Sequence, residues 1–414
     1  MTRRKTYFFV GLFLLVLIAP EMVNAQDNPD VERFFPRQGF MLSGYGGAGY
    51  NAVLGEDDTP NNFATIFAPI MLFQISDRFL FEGEFEFELE EGVTETELEY
   101  AQVDISINDH FTVMAGKFLL PFNTFSERSH PVWINRFISV PGVYGSHGGA
   151  GPADPLLPIL SDIGVQLRGV LKTGRFSSIT AEVFVTQGPV LPPDEHTDAE
   201  EGAIANIGAR EGLVAAKSTG TLGDAGDLAF GTNSSDNNED KMIGGRIGYG
   251  LAPFIEINVS GMTAAFDETG DLRFSALGAS LTSRFRNFSL QGEFIQTWQD
   301  LAEPEEPNPV PFMKAEASGG AKVLSNEPSE SLTRSGYWVQ LGYRLDKWDP
   351  ILRWTQIFDG EIDGEHVTEE GRQLALGLDY WFEPSLALKF EYLINLEEDT
   401  IDNNRVAVQL AFGF

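Results

Sequence analysis

Three groups of residues in this 414-residue chain have types and spacing that could do chemistry. Gly44, Gly46 and Gly49 in GYGGAGY follow the G-x-G-x-x-G spacing that, between a strand and a helix, holds a pyrophosphate against backbone amides. Glu82, Glu84, Glu86, Glu88 and Glu90 recur at every second position of FLFEGEFEFELE, and paired carboxylates are the apparatus of glycoside hydrolysis. His110, His130, His147, His196 and His366 are candidate bases or metal ligands. Context removes each reading. No helical pattern follows Gly49, which runs into the turn GEDDTPNN, so its glycines read as a first strand that bends and packs closely. The histidines are scattered over turns and loops without ligand spacing, and acids this numerous on one solvated face say little about glycosidase chemistry. With no cysteine, thiolate sites and disulfides are absent. The expectation is a protein that is not an enzyme and needs no cofactor and no metal.

The elements that must position these residues announce an exported protein. Arg3, Arg4 and Lys5 precede the apolar run YFFVGLFLLVLIAP and the small-residue exit Val23-Asn24-Ala25, the pattern of a signal peptide over 1–25. Segment 26–39 is expected to be a periplasmic N-terminal tail. Of 28 basic and 61 acidic residues, the signal peptide holds Arg3, Arg4, Lys5 and Glu21, so the remainder carries 25 basic against 60 acidic. That balance argues against nucleic acid as a partner. No later apolar run suffices for a membrane helix, which leaves a soluble periplasmic protein or an outer-membrane barrel.

Periodicity decides between them. Phe79, Phe81, Phe85, Phe87 and Leu89 share one face of an extended segment and the glutamates share the other. The same dyad returns in sixteen segments: 40–51, 62–75, 79–90, 96–107, 111–122, 161–173, 177–188, 240–251, 254–266, 272–286, 288–299, 335–346, 349–359, 371–382, 385–397 and 404–414. Short links such as SDR, NDH and TGR alternate with long ones, including 123–160, 189–239 and 300–334. The predicted fold is all-β: a 16-stranded antiparallel transmembrane β-barrel of outer-membrane porin type over 40–414, placed in the outer membrane of a Gram-negative bacterium. RVAVQLAFGF ends on Phe414, which resembles the terminal aromatic signal read by the barrel-assembly machinery.

A barrel this wide encloses water, so transport needs no catalyst. The alternation points Glu82, Glu84, Glu86, Glu88, Asp104, Lys117, Arg168, Glu182, Arg246, Glu293, Arg344, Arg353, Asp379 and Arg405 toward the lumen, with Asp162, Glu256, Arg284, Lys389 and Glu391. A plugged barrel with mutually paired lumen charges is the alternative. In general porins the loop at the ordinal position of 123–160 folds inward, and that resemblance implies a constriction lined by Glu127, Arg128, His130, Trp133, Asn135 and Arg136; an outward lid or trimer latch is the other reading. The acidic loop 189–239, with Asp194, Glu195, Asp198, Glu200, Glu201, Asp236, Glu239 and Asp240, reads as a solvated surface. Its functional alternative is binding divalent cations that bridge lipopolysaccharide.

AGKFLLPFN (Ala115 to Asn123), Glu127-Arg128, Asn135 and DIGVQLRG (Asp162 to Gly169) resemble the phosphate-selective porin O and P family. The resemblance implies a sixteen-stranded homotrimeric channel in outer-membrane lipid, with Lys117, Arg128 and Arg136 as the basic positions carried over. This sequence lacks the family's basic ladder and has a glutamate row instead. The expected function is a passive channel for small polar solutes or ions with weak cation preference. An anion- or phosphate-selective channel, or a plugged barrel acting as receptor or adhesin, are the alternatives.

Overall fold

Alternating oily and ionised side chains can extend across a bilayer only as strands whose backbone groups all find partners, and closure supplies those partners. The computed structural model describes residues 39–54, 62–90, 93–145, 153–190, 228–231, 238–302, 328–368, 370–396 and 404–414. The expected signal peptide, the tail up to 38, His147, His196, Asp194, Glu195, Asp198, Glu200, Glu201 and Asp236 lie outside the described residues.

Sixteen barrel strands form among the described residues. They are β1 Gly39–Val53, β2 Asn62–Ser76, β3 Phe79–Glu90, β4 Val93–Asn108, β5 Phe111–Leu119, β6 Ser161–Lys172, β7 Ser177–Thr186 and β8 Met242–Leu251. The second half comprises β9 Ile255–Ala265, β10 Arg273–Phe285, β11 Phe288–Ala302, β12 Pro328–Tyr343, β13 Trp348–Ile357, β14 Gly371–Glu383, β15 Leu386–Asn395 and β16 Arg405–Gly413. Each pairs antiparallel with its sequence neighbours, and β16 returns to β1 through Tyr45↔Gly413 to Val53↔Arg405. Phe414 completes the seam: its amide donates to the Gly44 carbonyl at 2.9 Å and its carbonyl accepts from the Gly44 amide at 3.1 Å. Glycine at 44 has a steric reason, since a Cβ there would stand 2.4 Å from the Ala68 carbonyl oxygen. The G-x-G-x-x-G stretch is therefore wall, within β1.

Strand ends depart from the periodicity where pairing, not pattern, decides. β5 stops at Leu119 rather than 122, while β11 and β12 pair on to Ala302↔Pro328, well past the expected 299 and 335. β12 also ends at Tyr343, so Arg344 stands at the short-turn end of the wall: it donates to the Asp346 carbonyl at 2.7 Å, covers the Trp381 ring at 5.0 Å and comes within 3.8 Å of Asp349.

The outward face is apolar, with Phe85, Phe87, Leu89, Ile247, Tyr249, Leu376 and Val406 exposed. Aromatic pairs Trp348–Tyr380 (4.7 Å) and Phe288–Tyr343 (4.5 Å) mark the end with short turns, as expected for an interfacial girdle. The inward face is not ionised throughout. Toward the long-loop end, Met114, Phe118, Phe184, Met242, Met262, Phe274, Ile295, Trp338 and Ile357 are buried in one apolar cluster. Their partners are Leu120, Phe122, Phe125, Val143, Leu156, Leu157 and Leu160, supplied by the segment after β5. The core of this protein lies inside its barrel.

Candidate functional site

The chain leaves the wall at Leu119 and turns at Asn123, whose φ of 54° is a left-handed conformation that asparagine tolerates. It then forms the single-turn helix α1, Phe125–Arg128. An orphan helix start buried in a barrel needs acceptors, and β11 provides one. Glu293 Oε1 accepts from the amides of Thr124 at 2.8 Å and Phe125 at 2.7 Å. Its Oε2 accepts from the Tyr144 hydroxyl at 2.7 Å and from Nε1 of Trp338, its cross-strand neighbour, at 3.3 Å. Phe125 stacks on Tyr144 and meets Trp338 edge-on, closing this anchor with apolar contact.

A second anchor lies on β13 to β15. Lys389 donates to the carbonyls of Val132 (2.6 Å) and Asn135, and Arg353 to the Ser139 carbonyl (3.0 Å), its hydroxyl (2.6 Å) and the Val140 carbonyl (3.1 Å). Glu391 accepts from the amides of Ile138 (2.7 Å) and Ser139 (3.0 Å). Arg136 reaches Ser289 and Asp349, Asn135 donates to the Ser139 carbonyl at 3.0 Å, and Trp133 packs against Gly413 of β16. Asp379, fully buried, stands opposite Lys389 and Asp349 in the register. Segment 120–160, as far as it is described, thus lies against the inner wall.

Between the anchors is a charged belt. Arg168, Glu182 and Arg246 are direct cross-strand neighbours on β6, β7 and β8. Glu127 of α1 inserts among them, bonding Arg168 at 2.6 Å and Arg246; Glu182 takes Arg168 at 3.0 Å and Arg246 at 2.8 Å. Arg128 bonds Glu127 at 3.1 Å and Glu256 at 2.9 Å. Burial pushes the Glu127 carboxyl up, but Arg246, Arg128 and Arg168 outweigh it and hold it below the usual carboxylate range.

Opposite the belt the lumen is not filled. A cleft separates the segment from β1 to β4 and β16. Its polar lining includes Glu86, Glu88, Glu99, His130, Arg405 and Gln409. Tyr45 donates to Glu86 at 3.1 Å, His130 Nε2 is 3.7 Å from Glu99, and Gln102 donates to Asp104 at 2.9 Å. Lys117 donates to the Leu98 carbonyl at 2.7 Å and is 3.4 Å from Glu97. Across β3 and β4, Glu82 faces Gln102 and Glu84 faces Tyr100, while Glu86 meets Glu97 and Glu88 meets Glu95.

The geometry thus brings Glu127, Arg128, Arg168, Glu182 and Arg246 together, and sets Glu86, Glu88, His130 and Arg405 around the remaining space. Glu99 was not singled out from sequence because the irregularity opposite Glu84/Phe85 breaks the alternation there. Tyr144 and Asn123 carry no periodic signal of their own, and Trp338 and Asp349 share only the inward alternation of β12 and β13; the returning loop gives all four their role. His110 sits in a tight turn and His366 in the short hairpin Glu361–Ile362 with Glu365–His366, far apart in the register. Among the described residues no three His, Cys, Asp or Glu converge as metal ligands.

No family model and no curated protein matches the chain. Solved structures do. OmpF of Salmonella typhi, solved with daunomycin, aligns at TM-score 0.54 and 11% identity, covering 91% of this chain and 97% of that one. The anion-selective porin of Comamonas acidovorans aligns at 0.51 and 10% identity, over 91% of this chain and 100% of that one. OmpT of Vibrio cholerae in a trimer form aligns at 0.50 and 12%, over 91% and 99%. This chain therefore has the closed sixteen-stranded fold of outer-membrane porins.

Proposed function

We propose that this barrel is a passive diffusion channel in the outer membrane of a Gram-negative bacterium, passing small hydrophilic solutes or ions. Loop 123–160 is its constriction. The observation that carries this reading is the one-sided filling of the lumen: side chains of β8 to β15 hold the segment's backbone, and open space remains along β1 to β4 and β16. Solute moves down its gradient through that space, screened by its size and by the field of its ionised lining.

The lining favours cations. Arg128, Arg168 and Arg246 are matched by Glu127, Glu182 and Glu256, while Arg353 and Lys389 are engaged by loop carbonyls, so no basic ladder is left to draw phosphate. The porin O and P resemblance supports the architecture rather than anion selectivity. The apolar cluster at the long-loop end favours a second reading, a closed barrel serving as surface receptor. The trimer form of the Vibrio relative supports a homotrimer in lipid and lipopolysaccharide, with Phe414 as the signal for the assembly machinery. Planar-bilayer recording of the purified protein in a potassium chloride gradient tests the proposal: ohmic conductance reversing toward the potassium potential is expected. Reversal toward chloride restores the anion-selective reading, and absence of conductance the receptor.

A further inference from the structure

Two features of the open passage go beyond a general preference for cations. The first is its register. Glu86 stands directly opposite Glu97, and Glu88 opposite Glu95, although like charges in cross-strand contact destabilise a sheet. Arg405 is the permanently positive side chain among the residues lining the passage, with Lys117 drawn to Glu97 behind it. Glu84, 3% exposed beside Glu86, leaves one carboxylate oxygen without a hydrogen-bond partner. A wall of this kind attracts cations. These carboxylates do not converge as a metal site, and successive inward positions on a strand are about 7 Å apart, a spacing that hands on a monovalent charge rather than chelating a divalent one.

The second feature is the facing wall. The constriction segment presents Pro131, Val132, Ile138, Val140 and Ile159 to the same space, and none of them ionises. A bare inorganic cation gains nothing from that surface, whereas an ammonium ion with an apolar body meets carboxylate on one side and hydrocarbon on the other.

We infer that the passage is selective for amphiphilic organic ammonium ions. This rests on the channel reading above and names its substrate class. The test uses the full-length barrel in proteoliposomes and planar bilayers, with phenethylammonium, phenylacetate and methylammonium as probes. Phenethylammonium is expected to enter faster than phenylacetate by about fivefold, the effect of one water-screened charge contact. It is also expected to enter faster than the smaller methylammonium. The triple variant E86Q/E88Q/E99Q abolishes the first difference, and I138S/V140S the second; heat-modifiable gel mobility reports that each variant is folded. Entry of phenylacetate at the rate of phenethylammonium, with potassium chloride conductance intact, overturns this inference alone. Absence of potassium chloride conductance overturns the channel reading and this inference with it.

Discussion

On β6 to β8 the inward cross-strand neighbours Arg168, Glu182 and Arg246 alternate in sign, whereas on β3 and β4 Glu86 faces Glu97 and Glu88 faces Glu95. The first region is covered by the constriction segment and the second borders open space. The difference teaches what lumen charge is for on each side. Where a segment packs against the wall, water is lost and an unmatched charge would be costly, so signs alternate and each group has a partner. Where the segment stands off, the wall's own side chains share the compensation, with Tyr45 donating to Glu86 at 3.1 Å, and like charges are neighbours.

Breaking the filled side should have the largest effect. E293A removes the acceptor of four donors, and hydrogen bonds to a charged group contribute about 1.5–3 kcal/mol each. The segment should come off the wall, raising single-channel conductance severalfold and exposing residues 123–145 to protease. An unchanged conductance and digestion pattern would show that the apolar cluster alone holds it.

R246A should come next. It leaves Glu127 and Glu182 less compensated, a kind of loss that costs about 3–5 kcal/mol for a buried pair. Lower thermal stability of the refolded barrel and noisier current are expected. Acid sharpens the same comparison. Because the folded-state pKa of Glu127 lies below its ordinary value, its contribution is complete above about pH 4.3 and is lost as pH falls through the depressed value. Channel noise should therefore rise in the parent as pH falls through the depressed Glu127 value, and this acid step should be missing in E127Q.

The smallest effect belongs to the open side. E86Q/E88Q should leave thermal stability unchanged or slightly higher, since it relieves like-charge pairs, while moving the reversal potential toward zero. The shift should fade near 1 M salt, where screening acts within about 3 Å. A large loss of stability in this variant would mean that these glutamates are structural, as on the other side.

How much of this was legible in the sequence depends on the range of the signal. The sixteen spans and, away from irregularities such as that beside Glu99, their inward and outward faces are written in a period of two, because a bilayer outside imposes it residue by residue, and the short and long connections fall between them. The glutamates of β3 and the length of the segment after β5 were equally plain. Only the tertiary structure decided which inward residues meet that segment and which meet solvent. Glu293 and Glu86 obey the same alternation, yet one is an acceptor for a buried helix start and the other faces a passage. That assignment depends on contacts between residues more than a hundred positions apart, and strand periodicity, which records only the nearest surroundings, carries no trace of them.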